Sequence, residues 1–385
     1  MKAQEVINLI PDQYLTFLSA ETQVDYKVQK LSGKVMFKLL VYSLLAAQRG
    51  SLRTMETIFS SYTFQSFAHI GPGMQTRYNS IRDRINTIQA DFFEKLFYTC
   101  YDLFACYLKR KDHLVLRFDS TMVALSGKLL TIGMRVGSNT SKKQLKFTIG
   151  FDGLLPTTGK LFHQQKELSE DITLRQTILQ ASLGGDDMAV FDRGLQKRAT
   201  FAEFDDGQIQ FVTRLKTNAL FEVVEKLPLP APPADEPAAS VAIHYDEWVH
   251  LYGTGNKLLR HPFRLIRATI LASKEEIWFL TNIKDLTAFE IATIYKLRWD
   301  IEVFFKFLKQ ELNFNHVLVR SENGIKVMLY TSLLTAMLLL VYKQVNKLKG
   351  YKIPKLRFVV ELEEELIKYI VLLCGGKPEL MYLLT

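Results

Sequence analysis

The chain has 385 residues, 48% apolar and 12% aromatic, with a formal net charge of +9. That apolar content excludes a disordered chain, and the length allows two or three domains. The basic excess, with a pI of about 9.2, favours an anionic partner, nucleic acid before membrane surface.

Residues 1–110 are predicted helical. FKLLVYSLLAAQ is continuously apolar, TRYNSIRDRINTIQADFFEKLFYTCYDLFACYL has helical periodicity, and the turn-rich HIGPGMQTR separates them. The N-terminal run carries Glu5, Pro11 and Asp12 and lacks the apolar stretch of a signal peptide. Cys100, Cys106 and Cys374 form no CxxC pair, which suits a reducing cytoplasm. At His113 the texture changes. HLVLRFDSTMVAL and QLKFTIGFDG alternate as strands, SEDITLRQTILQASL follows as a helix capped by Ser169 or Asp171, MAVFDRG is a short strand, and LQKRATFAEF is another helix. IQFVTRLKT, SVAIHYDEWVHLYG, PFRLIRATILA and EIWFLTN read as further strands, the first two separated by the proline-rich loop PLPAPPADEP. From Leu286 onward the chain is predicted helical, with a break near Tyr351–Pro354. Val327 to Tyr342 is the most apolar window, shorter than the ~20 residues a bilayer span needs, and reads as a buried core helix. No membrane partner is expected. The organisation implied is mixed α/β, with segments 1–110, 111–208, 209–284, 285–349 and 350–385.

Several charged residues stand out by position. Asp119 ends the run LVLRF, and Asp192 ends MAVF ahead of Arg193 and Gly194. A carboxylate at a strand end has a rigid mount and an open side. Asp152, Asp186 and Asp187 compete with them as acids in turns, and a strand-end Asp also serves as a simple cap. In IYKLRWDIEVFFKFLKQEL, one helix would bring Tyr295, Arg298, Glu302 and Lys309 within an arc of roughly 60°, with Leu297, Ile301, Phe304 and Leu308 on the opposite, core-facing side. Such a stripe is either a solvated face with helical ion pairs or a carboxylate flanked by phosphate-binding groups. Asp119, Asp192 and Glu302 together offer hard oxygen donors suited to Mg²⁺ or Mn²⁺. No GxxxxGK[ST] loop, GxSxG elbow or zinc-spaced His pair is present.

The string Tyr295-x2-Arg298-x3-Glu302-x6-Lys309 resembles the YREK signature of DDE transposases of the insertion-sequence-4 family. Trp299 and TNIKDL (Thr281 to Leu286) are similar to the same family's C-terminal region. FDST (Phe118–Thr121) resembles its first Asp motif, FDRG (Phe191–Gly194) its second, and FVTR, ending at Arg214, the strand that opens its β insertion. The resemblance runs from about residue 113 to 345. It implies an RNase H-like mixed sheet interrupted by a β-rich insertion, with an N-terminal helical domain and C-terminal helices. It implies that Asp119, Asp192 and Glu302 hold two Mg²⁺ ions, with Mn²⁺ able to substitute, and that Tyr295, Arg298, Lys309 and Arg214 contact DNA phosphates. Trp278 lies near the strand whose aromatic stacks on an expelled base in the family, with a spacing to Thr281 that looks one residue off; core packing is its other reading. The implied activity is cut-and-paste transposition through a hairpin intermediate, by a homodimer on terminal inverted repeats and target DNA, in a bacterial cytoplasm at the nucleoid. A nuclease that cuts without joining, or an inactivated DNA-binding derivative, are the alternatives. Arg77, Arg82, Arg84 and the run Lys109, Arg110, Lys111 are N-terminal candidates for phosphate contact.

Overall fold

In the computed structural model of the chain the described residues are 1–46, 50–109, 114–125, 132–136, 143–181, 183–229, 241–253, 255 and 257–379. The proline-rich loop, Arg110, Lys111 and His113 therefore fall largely or wholly outside them. Helices come first: α1 (Ala3–Asn8), α2 (Asp12–Glu21), α3 (Gly33–Ala46), α4 (Leu52–Phe59), α5 (Tyr62–Ala68), α6 (Tyr78–Thr87) and α7 (Ala90–Tyr107). The middle of the chain holds β1 (Val115–Ala124), β2 (Met134–Arg135), β3 (Lys143–Phe151), β4 (Pro156–Phe162), α8 (Glu170–Gln180), β5 (Met188–Phe191), α9 (Ala199–Asp206), β6 (Gln210–Leu215), β7 (Phe221–Lys226), β8 (Val241–Tyr252), β9 (Leu258–Ile270) and β10 (Glu276–Thr281). Then come α10 (Ala288–Lys296), α11 (Trp299–Glu311), α12 (Glu322–Val345) and α13 (Lys352–Leu373). The chain divides into two compact units, one of Met1–Arg110, Val123–Gln144 and Phe305–Thr385, the other of Lys111–Met122 and Leu145–Phe304.

The first unit is mainly helical. α12 is the one helix among the described residues long and apolar enough to cross a membrane, and 89% of its apolar window is buried inside the protein. It is a core helix, as its sequence predicts. Its polar interruptions are absorbed locally: Thr331 and Thr335 donate to carbonyls one turn back, and the Tyr330 hydroxyl donates to Glu94 of α7 at 2.6 Å. The start of α12 is tied to the α6–α7 corner by Asn323, whose amide donates to the carbonyls of Asn86 and Ile88 and accepts from the Ala90 N–H. The predicted break lies slightly earlier than expected. Pro354 sits in the first turn of α13, where its missing N–H costs no helical bond, and the interruption is at 346–351.

The second unit is built on a mixed sheet of order β3-β1-β5-β6-β10-β9-β8-β7, with β4 on β3; the two-residue β2 pairs with Lys143–Gln144 inside the first unit. β1, β5 and β6 run parallel, while β6, β10, β9, β8 and β7 alternate in direction. The path β4-β3-β1-β5-β6 takes its strands in the order third, second, first, fourth, fifth, which is the RNase H-like arrangement; β7 to β10 are the β-rich addition. Alternation splits the strands between two cores. Ala189, Phe191, Phe211, Leu265 and Leu280 face one side with Leu174 and Ile178 of α8 and Phe201 and Phe204 of α9. Val190, Val212, Ile266 and Phe279 face the other with Ala288, Ile291 and Tyr295 of α10. Burial on both faces explains why MAVF reads as a continuous apolar run.

Candidate active site

β1 and β5 pair with Phe118 opposite Phe191. The next residue in each segment is an aspartate, so Asp119 and Asp192 emerge side by side from strands that lie about 4.8 Å apart. Asp192 stands just past the end of β5 as expected, whereas Asp119 lies inside β1, which continues to Ala124, and not at a strand end. Phe118 and Phe191 point into the α8–α9 core, so alternation sends both carboxylates to the opposite side, where α10 and α11 lie. The Tyr295 hydroxyl, at the end of α10, donates to Asp192 Oδ1 at 2.9 Å.

The expectation of one helix from Tyr295 to Lys309 is corrected. α10 ends at Lys296 and α11 begins at Trp299, with Leu297 and Arg298 in the turn between them. Ile301, Phe304 and Leu308 are fully buried, as the apolar spacing predicts, and Leu297 is half-buried. Tyr295 is also buried, at 8% exposure, so its hydroxyl serves Asp192 rather than standing on a solvent-facing stripe. Lys309 stands two turns beyond Glu302 on α11.

A buried arginine in β1, passed over in the sequence reading, fixes the α10–α11 turn. The Arg117 guanidinium donates to the carbonyls of Leu297 at 3.2 Å, Asp152 at 2.7 Å and Val115, and pairs with Asp300 at 3.2 Å. Gly153 (φ +97°) lets the chain pass beneath it: an added Cβ would lie 3.0 Å from Arg117 Nη1. One side chain two residues before Asp119 thus grips a residue two before Glu302. The signal was available as a charged residue inside an apolar strand run.

Arg298 is the electrostatic hub. It pairs with Glu302 at 2.7 Å, an i,i+4 contact, and its charge is felt by both aspartates. Its Nε is buried without a partner. Burial pushes the Asp119 carboxyl up to about 6; Glu170 and Glu302 add to the rise, while the Ser120 N–H and Arg298 oppose it. Burial also raises Asp192, but the Arg193 N–H, the Tyr295 hydroxyl, Arg298 and Arg214 together outweigh it and hold that carboxyl below its ordinary range.

Among the described residues no three His, Cys, Asp or Glu side chains stand close enough to hold an ion as placed. The expected three-acid cluster is not formed as placed, and Glu302 instead pairs with Arg298, its i,i+4 neighbour. The donor chemistry nonetheless fits a hard divalent cation. All three acids offer oxygen, and the buried Asp119 carboxyl also feels the charges of Glu170 and Glu302, which a cation would offset.

Arg214, on β6, is half-buried and pairs with Glu275 at 3.3 Å. It lines a polar cavity of about 700 Å³ with Arg193, Lys216 and Trp278. Trp278 is 8% exposed, packs edge-on against Phe221 at 5.7 Å and donates from Nε1 to Glu276, so it is chiefly a core side chain. In the helical unit, Arg84 spends its guanidinium on the carbonyls of Val24 and Leu31 and is removed from the set of candidate phosphate contacts. Arg77 is exposed beside Glu56, and Arg82 pairs with Asp83.

The sequence matches the family described as Transposase DDE domain over residues 110–338, a span that contains all three acids. A protein of Sinorhizobium fredii named "Putative transposase y4zB" is 29% identical over 170 residues, 44% of this chain and 45% of that protein. A Synechocystis protein named "Putative transposase for insertion sequence element IS4SA" is 32% identical over 108 residues, 28% of this chain and 30% of that protein. The chain spans less than half the length of these curated relatives. A solved structure of the piggyBac transposase synaptic complex with hairpin DNA aligns with 96% of this chain and 82% of that chain at 11% identity, with a TM-score of 0.49.

Proposed function

This chain belongs to the transposase DDE-domain family, and on that premise we propose that it is a cut-and-paste DNA transposase whose cleavage centre is Asp119, Asp192 and Glu302. The observation that carries the reading is the register of β1 and β5, which sets Asp119, inside β1, beside Asp192, just past β5, together with the Arg117 strut that ties the Glu302 helix to β1.

Two Mg²⁺ ions, or Mn²⁺ in their place, held by the three acids would supply an activated attacking oxygen and a stabilised leaving one. The chain's own residues do the rest. Tyr295 orients Asp192, Arg298 passes from Glu302 to a DNA phosphate, and Lys309 and Arg214 add phosphate-facing charge. Trp278 is the aromatic lining the Arg193–Arg214 cavity, and to stack on a displaced base it would have to leave its packing against Phe221. Water attack at an element end frees a 3′-hydroxyl. That hydroxyl attacks the opposite strand to close a hairpin, a second water opens it, and the freed end joins target DNA. Each step is an in-line displacement at phosphorus. The working form is a homodimer on paired terminal repeats, acting on nucleoid DNA in a bacterial cytoplasm.

The test uses purified full-length protein, labelled repeat ends, a target plasmid and Mg²⁺, read on denaturing gels. Nicked, hairpin and joined products are expected from the parent, and none from Asp119→Ala, Asp192→Ala or Glu302→Ala, with end binding retained. Full cleavage by these variants would remove the three acids from the mechanism. Cleavage by the parent without joined product would reduce the activity to that of a nuclease.

A further inference from the structure

Glu170 is the first residue of α8 and lies close enough to Asp119 to act on its charge, yet it belongs to no motif in the sequence. Its two oxygens are both engaged. One accepts from Lys146 Nζ at 3.0 Å, and the other from the hydroxyls of Ser120 at 2.8 Å and Thr173 at 3.2 Å. Lys146 is 2% exposed and also donates to the Leu168 carbonyl, so its charge is fully committed inside the unit. Ser120 in turn pairs with the buried Thr148 hydroxyl at 2.8 Å, and its backbone N–H donates to Asp119 Oδ1 at 2.7 Å. The result is a continuous chain from Lys146 through Glu170 and Ser120 to the Asp119 carboxylate.

The same helix start also holds the loop that follows the other aspartate. An added Cβ at Gly194, two residues after Asp192, would lie 2.9 Å from Glu170 Cγ, so that loop is seated directly on the Glu170 side chain. The neighbouring Asp171 accepts from the backbone N–H groups of Gln196 at 2.5 Å and Lys197 at 2.6 Å. α8 therefore grips the segments behind both catalytic strands from the side opposite α10 and α11.

We propose that Glu170 is a positioning residue of the cleavage centre: braced by Lys146, it fixes Asp119 through Ser120 and, with Asp171, seats the loop behind Asp192, so that the two aspartates keep one separation. With both oxygens taken up by the protein, Glu170 is not itself a metal ligand. The inference rests on the transposase reading and adds a residue to its centre. It also gives Gly194 a physical role, since any larger residue there would displace Glu170.

The test is Mn²⁺ binding by the full chain, titrated by electron paramagnetic resonance well below the unfolding temperature, with end binding measured separately in Ca²⁺. Ser120→Ala and Glu170→Gln are each expected to weaken Mn²⁺ binding by about tenfold, the usual effect of losing a group that orients a ligand. The double variant is expected to bind no worse than either single one, because both act on one path. End affinity should stay within about twofold. Unchanged Mn²⁺ binding in Ser120→Ala overturns the proposal, and so does a double variant whose losses multiply, which would make Glu170 a ligand in its own right. If Glu170→Gln fails to fold for want of a charge opposite Lys146, Ser120→Ala leaves that pair intact and decides alone. Asp119→Ala separates the two levels. If it binds Mn²⁺ like the parent, the centre itself is misassigned; if it does not, while Ser120→Ala does, only the role of Glu170 fails.

Discussion

Asp119 and Asp192 leave neighbouring strands and carry opposite electrostatic loads. Asp119 faces burial and the charges of Glu170 and Glu302, which lift it to about 6 from an ordinary 3.8. Asp192 is lowered by donors and cations that overcome its burial. The raised Asp119 makes the folded protein bind more protons than the unfolded chain between about pH 4 and 6. Stability from this group is therefore complete below that window, falls as pH rises through it, and stays low above. Asp119→Asn is expected to be more stable than the parent at pH 8 by up to about 2 kcal/mol, with the difference fading towards pH 4. Urea unfolding in chelator at several pH values measures it, and a pH-independent difference would place its cause elsewhere. The acids were legible because each ends an apolar strand run or sits in a spaced helical signature. Glu170, Ser120 and Lys146 were not, because contacts between β1, β3 and α8 have no fixed spacing along the chain.

The helix pair α10–α11 shows what periodicity reads and what it misses. The apolar phase continues through Leu297, so the sequence predicts one helix, yet the chain turns at Leu297–Arg298 and Arg117 takes up the Leu297 carbonyl there. That turn brings Arg298 beside Glu302, with both within reach of the Asp119 charge and Arg298 also within reach of Asp192. Arg117→Met keeps the bulk but leaves the Leu297 and Asp152 carbonyls and the Asp300 carboxylate without their donor. It is expected to lower stability by about 2–3 kcal/mol and to abolish cleavage even at temperatures where the protein remains folded. Arg117→Lys should recover only part of the stability, since a single ammonium cannot reproduce the planar fork. Normal cleavage by folded Arg117→Met, assayed on labelled ends, would show that the strut is dispensable. Among the strands, β2, β4 and β7 were not expected from the sequence, for different reasons: β2 is only two residues long. PTTGKLF opens on Pro and contains Gly, and FEVVEK is an exposed edge strand without alternating burial.

For the whole molecule, if the proposed function holds, the +9 charge predicts that binding to duplex ends is steeply salt-dependent. If about six to ten phosphates are neutralised, the plot of log affinity against log salt should have a slope between roughly −5 and −9. Fluorescence anisotropy with labelled ends at 50–300 mM salt measures it. A nearly flat plot would argue against backbone contact as the main source of affinity. Arg84→Ala is expected to lower thermal stability and leave that slope unchanged, because its guanidinium is held by the Val24 and Leu31 carbonyls.

The linear sequence was sufficient for most of the helical and sheet-forming segments and for the buried character of Val327–Tyr342, and it marked Asp119, Asp192 and the spaced Tyr295–Lys309 residues as candidates, since each depends on local periodicity or on motifs a few residues long. Tertiary structure alone decided the register that puts Asp119 beside Asp192, the capture of Glu302 by Arg298, the burial of Tyr295 and Trp278, and the Lys146–Glu170–Ser120 bracing. Those features arise where strands and helices far apart in the chain meet, and burial and charge compensation at such meetings are properties of the packed interior.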